Sequence, residues 1–389
     1  MYCRSRFAVG LMSGTSLDAV DAALVRLAGA TDKPRVHLRA FVSVPYPPGA
    51  RRRVLRVASG EAVSAREISQ LNFLLGELFA AAALRVCRKA SVSPHRLSVI
   101  GSHGQTVFHQ GFLTREAGRE IRSTLQIAEP AVIAERTGAP VVANFRTRDV
   151  ATGGQGAPLV PLVDYLLFRD KSKGTVTLNL GGIANVTVIP AQAGPEEVLG
   201  FDTGPGNMVI DALARKFSRS QKSYDSGGRW AACGKVLEEI LSRALGFPFF
   251  HQAPPKSSGR EQFGAAFVER FFFSGRKRRA ACDLLRTATE LTARTVAEAL
   301  QNFVYPKTRI ERLIVSGGGA HNRLLLGRIS ELLPELAVSL SDAHGIPADA
   351  KEAIAFAILA DRTLQGLPGN LPAVTGARRA VVLGSIYQA

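Results

Sequence analysis

Short apolar runs alternate along the chain with stretches whose apolar residues recur every three or four positions. That is the pattern of an α/β protein. Phe7–Leu11 and Val20–Val25 read as two strands joined by the polar turn Ser13-Gly14-Thr15-Ser16-Leu17-Asp18. Strands so close in sequence can pair only as an antiparallel hairpin. A helix follows, opened by Ser64 and Glu67 at capping-box spacing, with Ile68, Leu71, Leu74 or Leu75, Leu78 and Ala82 on one face. Leu97–Gly101 reads as a short strand delivering Ser102-His103-Gly104-Gln105-Thr106, and Val141–Phe145 as another that ends in Arg146 and Asp149.

The Gly- and Pro-rich stretch Gly153–Pro161 reads as a loop and a boundary between halves. Beyond it the theme repeats, with Thr175–Leu180, the turn Gly181-Gly182, and Ile183–Ile189. A helix is predicted over Glu290–Phe303, and a strand over Leu313–Val315 that runs into Ser316-Gly317-Gly318-Gly319. The last helix, Glu352–Leu364, is apolar on most of its circumference and is expected to be buried.

Composition narrows the class. A chain of 389 residues with 46% hydrophobic and 21% charged residues has room for two or three domains and is not disordered. No window approaches roughly 18 consecutive apolar residues, so no membrane span is expected. The basic-then-apolar start (Arg4, Arg6, then Phe7 to Met12) reads as a strand leading into a turn, because Asp18 and Asp21 follow at once. Cys3, Cys87, Cys233 and Cys282 form no Cys-x-x-Cys pair, which points to neither a metal site nor a disulfide framework, and to a cytoplasmic enzyme.

The formal charge is 49 − 32 = +17. Its densest runs, Arg51-Arg52-Arg53 with Arg56 and Arg276-Lys277-Arg278-Arg279, are not interleaved with aromatic residues. A solvated Arg-rich surface accounts for them better than a nucleic-acid partner.

Three glycine turns follow predicted strands: Gly14-Thr15-Ser16, Gly181-Gly182 and Gly317-Gly318-Gly319. Backbone N–H groups there can approach phosphate oxygens with no Cβ in the way, and Ser13, Thr15 and Ser16 add hydroxyl donors. No Walker A string occurs, so a P-loop fold is not expected. Two such hairpins and a later Gly-Gly-Gly resemble the two phosphate loops and the adenosine loop of the actin, Hsp70 and sugar-kinase superfamily. The resemblance implies a two-domain actin-like α/β fold with an inter-domain cleft. The expected division is residues 1–146, completed by 376–389, and residues 147–375.

Longer strings narrow the resemblance. Gly10-Leu-Met-Ser-Gly-Thr-Ser-Leu-Asp18, Gly101-Ser-His-Gly-Gln-Thr106, Gly153-Gly-Gln-Gly-Ala-Pro-Leu-Val-Pro161, Leu178-Asn-Leu-Gly-Gly-Ile-Ala-Asn185, Phe201-Asp-Thr-Gly-Pro-Gly-Asn207 and Leu367-Pro-Gly-Asn-Leu-Pro372 occur in this order. From Gly10 to Ile386 the chain resembles the anhydro-N-acetylmuramic acid kinase family. That resemblance implies a cytoplasmic enzyme of cell-wall recycling, active with ATP and Mg²⁺ on a small sugar, 1,6-anhydro-N-acetylmuramic acid. It leaves room for a homodimer and gives no role to nucleic acid or membrane.

The resemblance also assigns residues. Asp202 is the expected base for water; from position alone, capping of the following helix is equally open. Gly14, Thr15, Ser16, Leu17, Asp18, Ala19, Val20 and Asp21 match the nucleotide-binding stretch, together with Gly181, Gly182, Gly317, Gly318 and Gly319. Asp18 is a candidate to organise Mg²⁺ through water, or else simply bonds its own hairpin backbone. Ala19 stands where glycine is usual, and a positive φ there would cost roughly 1–2 kcal/mol.

For the sugar, Arg146 suits the lactyl carboxylate, and Ser13, His103, Gln105 and Glu352 are further candidates. His103 could equally be a satisfied structural histidine, and Glu352 a favourable charge at a helix start. Asn144 replaces a usual Asp, which removes a charge beside the site. Asp164 and Glu290 stay unassigned. Two other functions remain open at this point: a kinase of another amino sugar, or a nucleotide-responsive binding protein that uses its basic surface for nucleic acid.

Overall fold

A computed structural model describes residues 5–14, 17, 19–30, 32–274 and 280–389. The chain forms two compact units, residues 1–167 with 350–389, and residues 168–349.

The first unit is built on a seven-stranded sheet. β1 (Arg6–Ser13) and β2 (Ala19–Ala30) form the expected hairpin, and β3 (Lys33–Pro45) continues it antiparallel. On the other side of β1, β4 (Leu97–Glu116) runs parallel. β5 (Arg119–Ile127) folds back on the outer half of β4. β6 (Val141–Ala143) extends the sheet parallel to β4, and the C-terminal strand Ser385–Tyr387 closes that edge antiparallel to β6.

β4 is much longer than expected, so Ser102 to Thr106 lie inside a strand and not in a turn beyond one. Phe145, expected to end β6, instead opens the helix Phe145–Ala151.

The helix Ala65–Lys89 starts as its sequence dictates. Glu67 N–H donates to Ser64 Oγ at 3.2 Å, and Ser64 N–H to Glu67 Oε2 at 3.3 Å. Leu71, Leu75, Phe79, Ala82, Ala83 and Val86 are buried in a core shared with β2, whereas Leu74 faces out. By length and composition alone this helix could cross a membrane. Its packing against β2 and β3 accounts for that apolar face.

The helix Lys351–Leu364 lies across β1, β2 and β4. It comes so close that a Cβ on Gly10 would run into the Ala353 carbonyl, and one on Gly101 into the Phe356 carbonyl. Only glycine permits that approach of helix backbone to strand backbone.

This packing also corrects the expected division of the chain. Residues 147–167 and 350–375, read into the second half, belong to the first unit. Buried Asp149 shows why. Its carboxylate accepts from Gly156 N–H at 2.8 Å, Asn370 Nδ2 at 2.6 Å and Thr375 Oγ1 at 2.7 Å, which ties the two stretches together. Nor does the glycine-rich loop mark the boundary, because it leads directly into the helix Val160–Phe168.

The second unit repeats the plan. β7 (Thr175–Leu180), β8 (Ile183–Ile189) and β9 (Leu199–Pro205) are successively antiparallel. β10 (Arg312–Ser316) and β11 (Ala337–Leu340) then add parallel on the other side of β7. The order β11-β10-β7-β8-β9 matches β6-β4-β1-β2-β3 of the first unit in sequence and in sense. The helix Ala281–Phe303, which begins before the predicted Glu290, packs between this sheet and a phenylalanine-rich layer containing Phe249, Phe250, Phe263 and Phe267.

Gly10→Val should lower the stability of the protein by about 3 kcal/mol or more, because neither backbone can retreat. Urea unfolding measures this, and a change below about 0.5 kcal/mol would mean that the helix does not rest on β1 as described.

Candidate active site

In the first unit, register pairs Ser13 at the end of β1 with Gln105 of β4. Ser13 Oγ lies 2.7 Å from Gln105 Oε1 and 2.8 Å from the Ala19 carbonyl. Tyr46 Oη donates to the same Oε1 at 3.2 Å, and Gln105 Nε2 donates to the Thr106 carbonyl at 3.2 Å. Both side chains are buried and engaged in joining β1, β2 and β4.

His103 is buried beside them, 4.6 Å ring to ring from Phe356. Its Nδ1 faces the Gly104 carbonyl at 2.9 Å, and its Nε2 accepts from Arg146 Nε at 3.0 Å. Burial, reinforced by the Arg146 cation, holds its pKa well below the usual histidine value. The ring is therefore neutral, with its proton on Nδ1.

Arg146 also donates through Nη1 to the Gly156 carbonyl at 2.9 Å. Its Nη2 has no hydrogen-bond partner among the described residues. Burial draws its pKa down to about 10, opposed by the carboxylates of Glu352 and Asp149. His103, Arg146 and Glu352 are thus brought together, Glu352 from the first turn of the Lys351–Leu364 helix. Asp164, unassigned from sequence, pairs with Lys351 at 2.8 Å, both buried at the foot of that helix.

Asn144, at φ 58°, occupies a left-handed position that Asn tolerates well, and its Nδ2 donates to Tyr387 Oη at 3.1 Å.

In the turn between β1 and β2, Thr15, Ser16 and Asp18 lie outside the described residues. A Cβ on Gly14 would meet open space. The positive φ anticipated at Ala19 is found at Leu17, which is buried with φ 56°. Ala19 has already entered β2, so alanine costs nothing there. Arg51 Nε donates to the Leu17 carbonyl at 3.0 Å, which engages part of the first basic run within the fold. Val20 is in the core, and Asp21 is paired in register with Met12.

In the second unit, the turn Gly181-Gly182 accepts through its carbonyls from the N–H groups of Gly206, Asn207 and Met208 at 2.9, 2.8 and 3.1 Å. The start of the helix Met208–Phe217 is thereby fixed to the turn. Gly317, at φ 83°, and Gly319 come against Leu180, flanked by Asn179 and Asn207 respectively. Asn207 Nδ2 donates to the Leu180 carbonyl at 2.9 Å. Asn207, the last residue of the Phe201–Asn207 motif, is therefore the residue around which the two glycine turns of this unit meet.

Asp202 lies inside β9, which continues to Pro205, and not at a strand end as expected. It does not cap the next helix, whose N-cap is Asn207. Its N–H donates to the Lys256 carbonyl at 3.0 Å, and its Oδ2 accepts from Ser258 N–H at 2.7 Å and Ser258 Oγ at 3.3 Å. Oδ1 has no hydrogen-bond partner among the described residues. Burial raises the carboxyl pKa to about 7; the Ser258 donors and the Lys256 ammonium oppose the rise, and Glu261 adds to it. A carboxylate with one oxygen fixed and a pKa near neutrality is suited to taking a proton from water. Lys256 and Ser258 follow Pro254-Pro255 in a stretch without periodicity, and that proline pair is the only sign of them in the sequence.

Two α/β units on one strand plan, each opening on a hairpin with a glycine turn, define the class of actin-like ATPases and sugar kinases. Within that class, comparison with known sequences places the protein. The chain belongs to the anhydro-N-acetylmuramic acid kinase family, whose sequence model matches residues 6–389. The anhydro-N-acetylmuramic acid kinase of Caldanaerobacter subterraneus subsp. tengcongensis is 44% identical over 382 residues, covering 98% of this chain and 96% of that protein. The enzyme of the same name from Bacillus thuringiensis subsp. konkukian is also 44% identical over 382 residues, covering 98% of each.

Two measurements follow from these environments. The ¹⁵N spectrum of His103 should show a neutral, Nδ1-protonated ring throughout about pH 5–8, whereas titration near its ordinary value would contradict the burial argument. Asp202 is harder to ionise folded than unfolded. Its destabilising effect is absent below the ordinary 3.8, grows as pH rises, and is complete above about 7. Asp202→Asn should therefore raise Tm relative to the parent at pH 8 and lose that advantage at pH 4. An equal difference at both values would refute the shift.

Proposed function

We propose that this protein phosphorylates 1,6-anhydro-N-acetylmuramic acid with ATP and opens its anhydro bridge with water, giving N-acetylmuramic acid 6-phosphate and ADP during peptidoglycan recycling. The observation that carries this reading is Asp202, placed in β9 and anchored through Oδ2 to Ser258, with Oδ1 unclaimed and burial pushing its carboxyl pKa up to about 7. Water attacks C1 while Asp202 takes its proton. The C1–O6 bond breaks, O6 attacks the γ-phosphorus, and the bond from that phosphorus to the β-bridging oxygen breaks to release ADP.

Around this step the remaining residues take the roles that their chemistry allows. Gly14 to Asp21 and Gly181-Gly182 serve the phosphates, and Gly317 to Gly319 the adenosine side. Arg146, fixed by His103 and the Gly156 carbonyl, offers its remaining Nη2 to the lactyl carboxylate. Glu352 faces Arg146 and keeps that guanidinium charged. Ser13 and Gln105 act from beneath by holding the ends of β1 and β4 in register.

Among the described residues no group of three or more His, Cys, Asp and Glu side chains could hold a metal. The Mg²⁺ is proposed to arrive with the nucleotide and to be organised through water by Asp18, which lies outside the described residues. When bound, it neutralises phosphate charge.

A homodimer and a cytoplasmic setting complete the proposal. The exposed Phe108, Phe112 and Leu125 of the β4–β5 ribbon support the first. The free thiols of Cys87, Cys233 and Cys282 support the second.

Asp202→Asn should keep ATP binding and lose roughly 10²–10⁴ in turnover. In ¹⁸O-labelled water the parent should place label on C1 of the 6-phosphate product. Near-normal turnover of the variant would sink the assignment of the base. Phosphorylation of an already open sugar alone would redirect the reading to a different amino-sugar kinase.

A further inference from the structure

A cavity of about 110 Å³ lies at the carboxyl end of β6, wholly within the first unit. Ligands of α/β sheets settle at such strand ends. Ser102 of β4 lines it together with Asn72, Glu129, Asn144 and Tyr387 of the C-terminal strand. Part of its wall is strained. Ala128 sits at φ 137°, and Asn72 keeps it there: Asn72 Oδ1 accepts from Ala128 N–H at 2.9 Å, and its main-chain carbonyl from Glu129 N–H at 3.0 Å.

The lining is rich in acceptors and poor in donors, because its amide side chains spend their NH₂ groups inside the protein. Asn72 Nδ2 donates to Glu129 Oε2 at 2.9 Å, and Asn144 Nδ2 to Tyr387 Oη at 3.1 Å. Gln126 Nε2 donates to Thr124 Oγ1 at 2.8 Å and Thr106 Oγ1 at 3.2 Å. Gln126 Oε1 and Asn144 Oδ1 have no hydrogen-bond partner among the described residues. The donors that remain are the hydroxyls of Tyr387 and Ser102.

Ser102 is the telling one. It is 1% exposed, and its Oγ has no hydrogen-bond partner. A buried hydroxyl left unpaired costs stability, which a ligand in the cavity would recover. One water needs only about 10–15 Å³, so the cavity takes more than that. No Lys or Arg lines it, and a carboxylate or phosphate there would meet Glu129 unopposed. A hydroxyl, which donates and accepts at one atom, meets its complement. His103 joins the cavity to Arg146: it lines the cavity, and its Nε2 accepts from Arg146, two residues beyond Asn144.

We propose that this cavity is the specificity pocket for the uncharged edge of the sugar, in which Ser102 Oγ bonds the C4 hydroxyl while Arg146 takes the lactyl carboxylate. This deepens the sugar-kinase reading above and rests on it. The anhydro sugar carries two donors, its acetamido N–H and its C4 hydroxyl, and only the hydroxyl can also accept at the donating atom.

The test is steady-state kinetics of the full chain with ATP, Mg²⁺ and either the anhydro sugar or its 4-deoxy analogue. The parent should lose roughly three- to tenfold in kcat/KM on the 4-deoxy sugar. Ser102→Ala should lose a similar factor on the normal sugar, through the sugar's KM, with the KM for ATP unmoved. It should lose little more on the 4-deoxy sugar, because the two changes remove one hydrogen bond. Without ligand its Tm should equal or exceed that of the parent, since an unpaired buried hydroxyl has gone.

An unmoved sugar KM in Ser102→Ala, or losses that multiply when both changes are combined, would overturn the proposal. A lower Tm with an unmoved sugar KM would show that Ser102 holds ordered water instead. No turnover of the anhydro sugar by the parent would defeat the kinase reading itself, whereas normal turnover with Ser102→Ala unaffected defeats the pocket alone.

Discussion

The close approach of the Lys351–Leu364 helix to β1 and β4 is the constraint on which the first unit depends. Gly10 and Gly101 permit it, and the buried Lys351–Asp164 pair fixes where the helix starts. From that start follow the position of Glu352 opposite Arg146 and the contact of Phe356 with His103. His103 in turn accepts from Arg146, so a packing decision between glycines reaches a guanidinium suited to a carboxylate. The chain of cause is short and almost wholly buried. Such groups have few alternative arrangements, and that is what orienting a small ligand requires.

The second unit solves a different problem. An edge strand presents unpaired backbone groups, and here a loop covers part of that edge. The cover also organises Asp202, whose amide and Oδ2 are both claimed by the loop. The result is a carboxyl held by neighbours yet reluctant to ionise, a state that costs stability and favours proton transfer at neutral pH. The phenylalanine-rich layer beneath, including Phe249, Phe250 and Phe263, gives the loop a rigid seat.

Much of this was legible in the sequence where the determining interactions are local. The Ser64–Glu67 capping box, the two glycine hairpins and the apolar last helix each state themselves within a few residues. β3 escaped notice because Lys33 to Arg39 alternates charged and apolar residues on an exposed strand. The outer half of β4 was hidden for a related reason, since Phe108 and Phe112 point to solvent there. The boundary between units was misjudged because Asp149 binds residues more than 200 positions away, at Asn370 and Thr375. Asp202 stands out in the sequence through its motif, but Gly204-Pro205-Gly206 suggests an earlier end to its strand than the one found. Lys256 and Ser258 carry no periodic signal, and only the folded loop shows what they hold.

In the proposed reaction the unclaimed oxygen of Asp202 removes the proton from the attacking water. A crystal structure with a non-hydrolysable ATP analogue and the anhydro sugar tests it most directly. A water should lie within about 2.6–3.2 Å of Asp202 Oδ1, on the face of C1 opposite the bridge oxygen, while Oδ2 stays on Ser258. A sugar whose C1 is turned away from Asp202, or a carboxylate bonded through Oδ1 to a sugar hydroxyl with no water near C1, would contradict it.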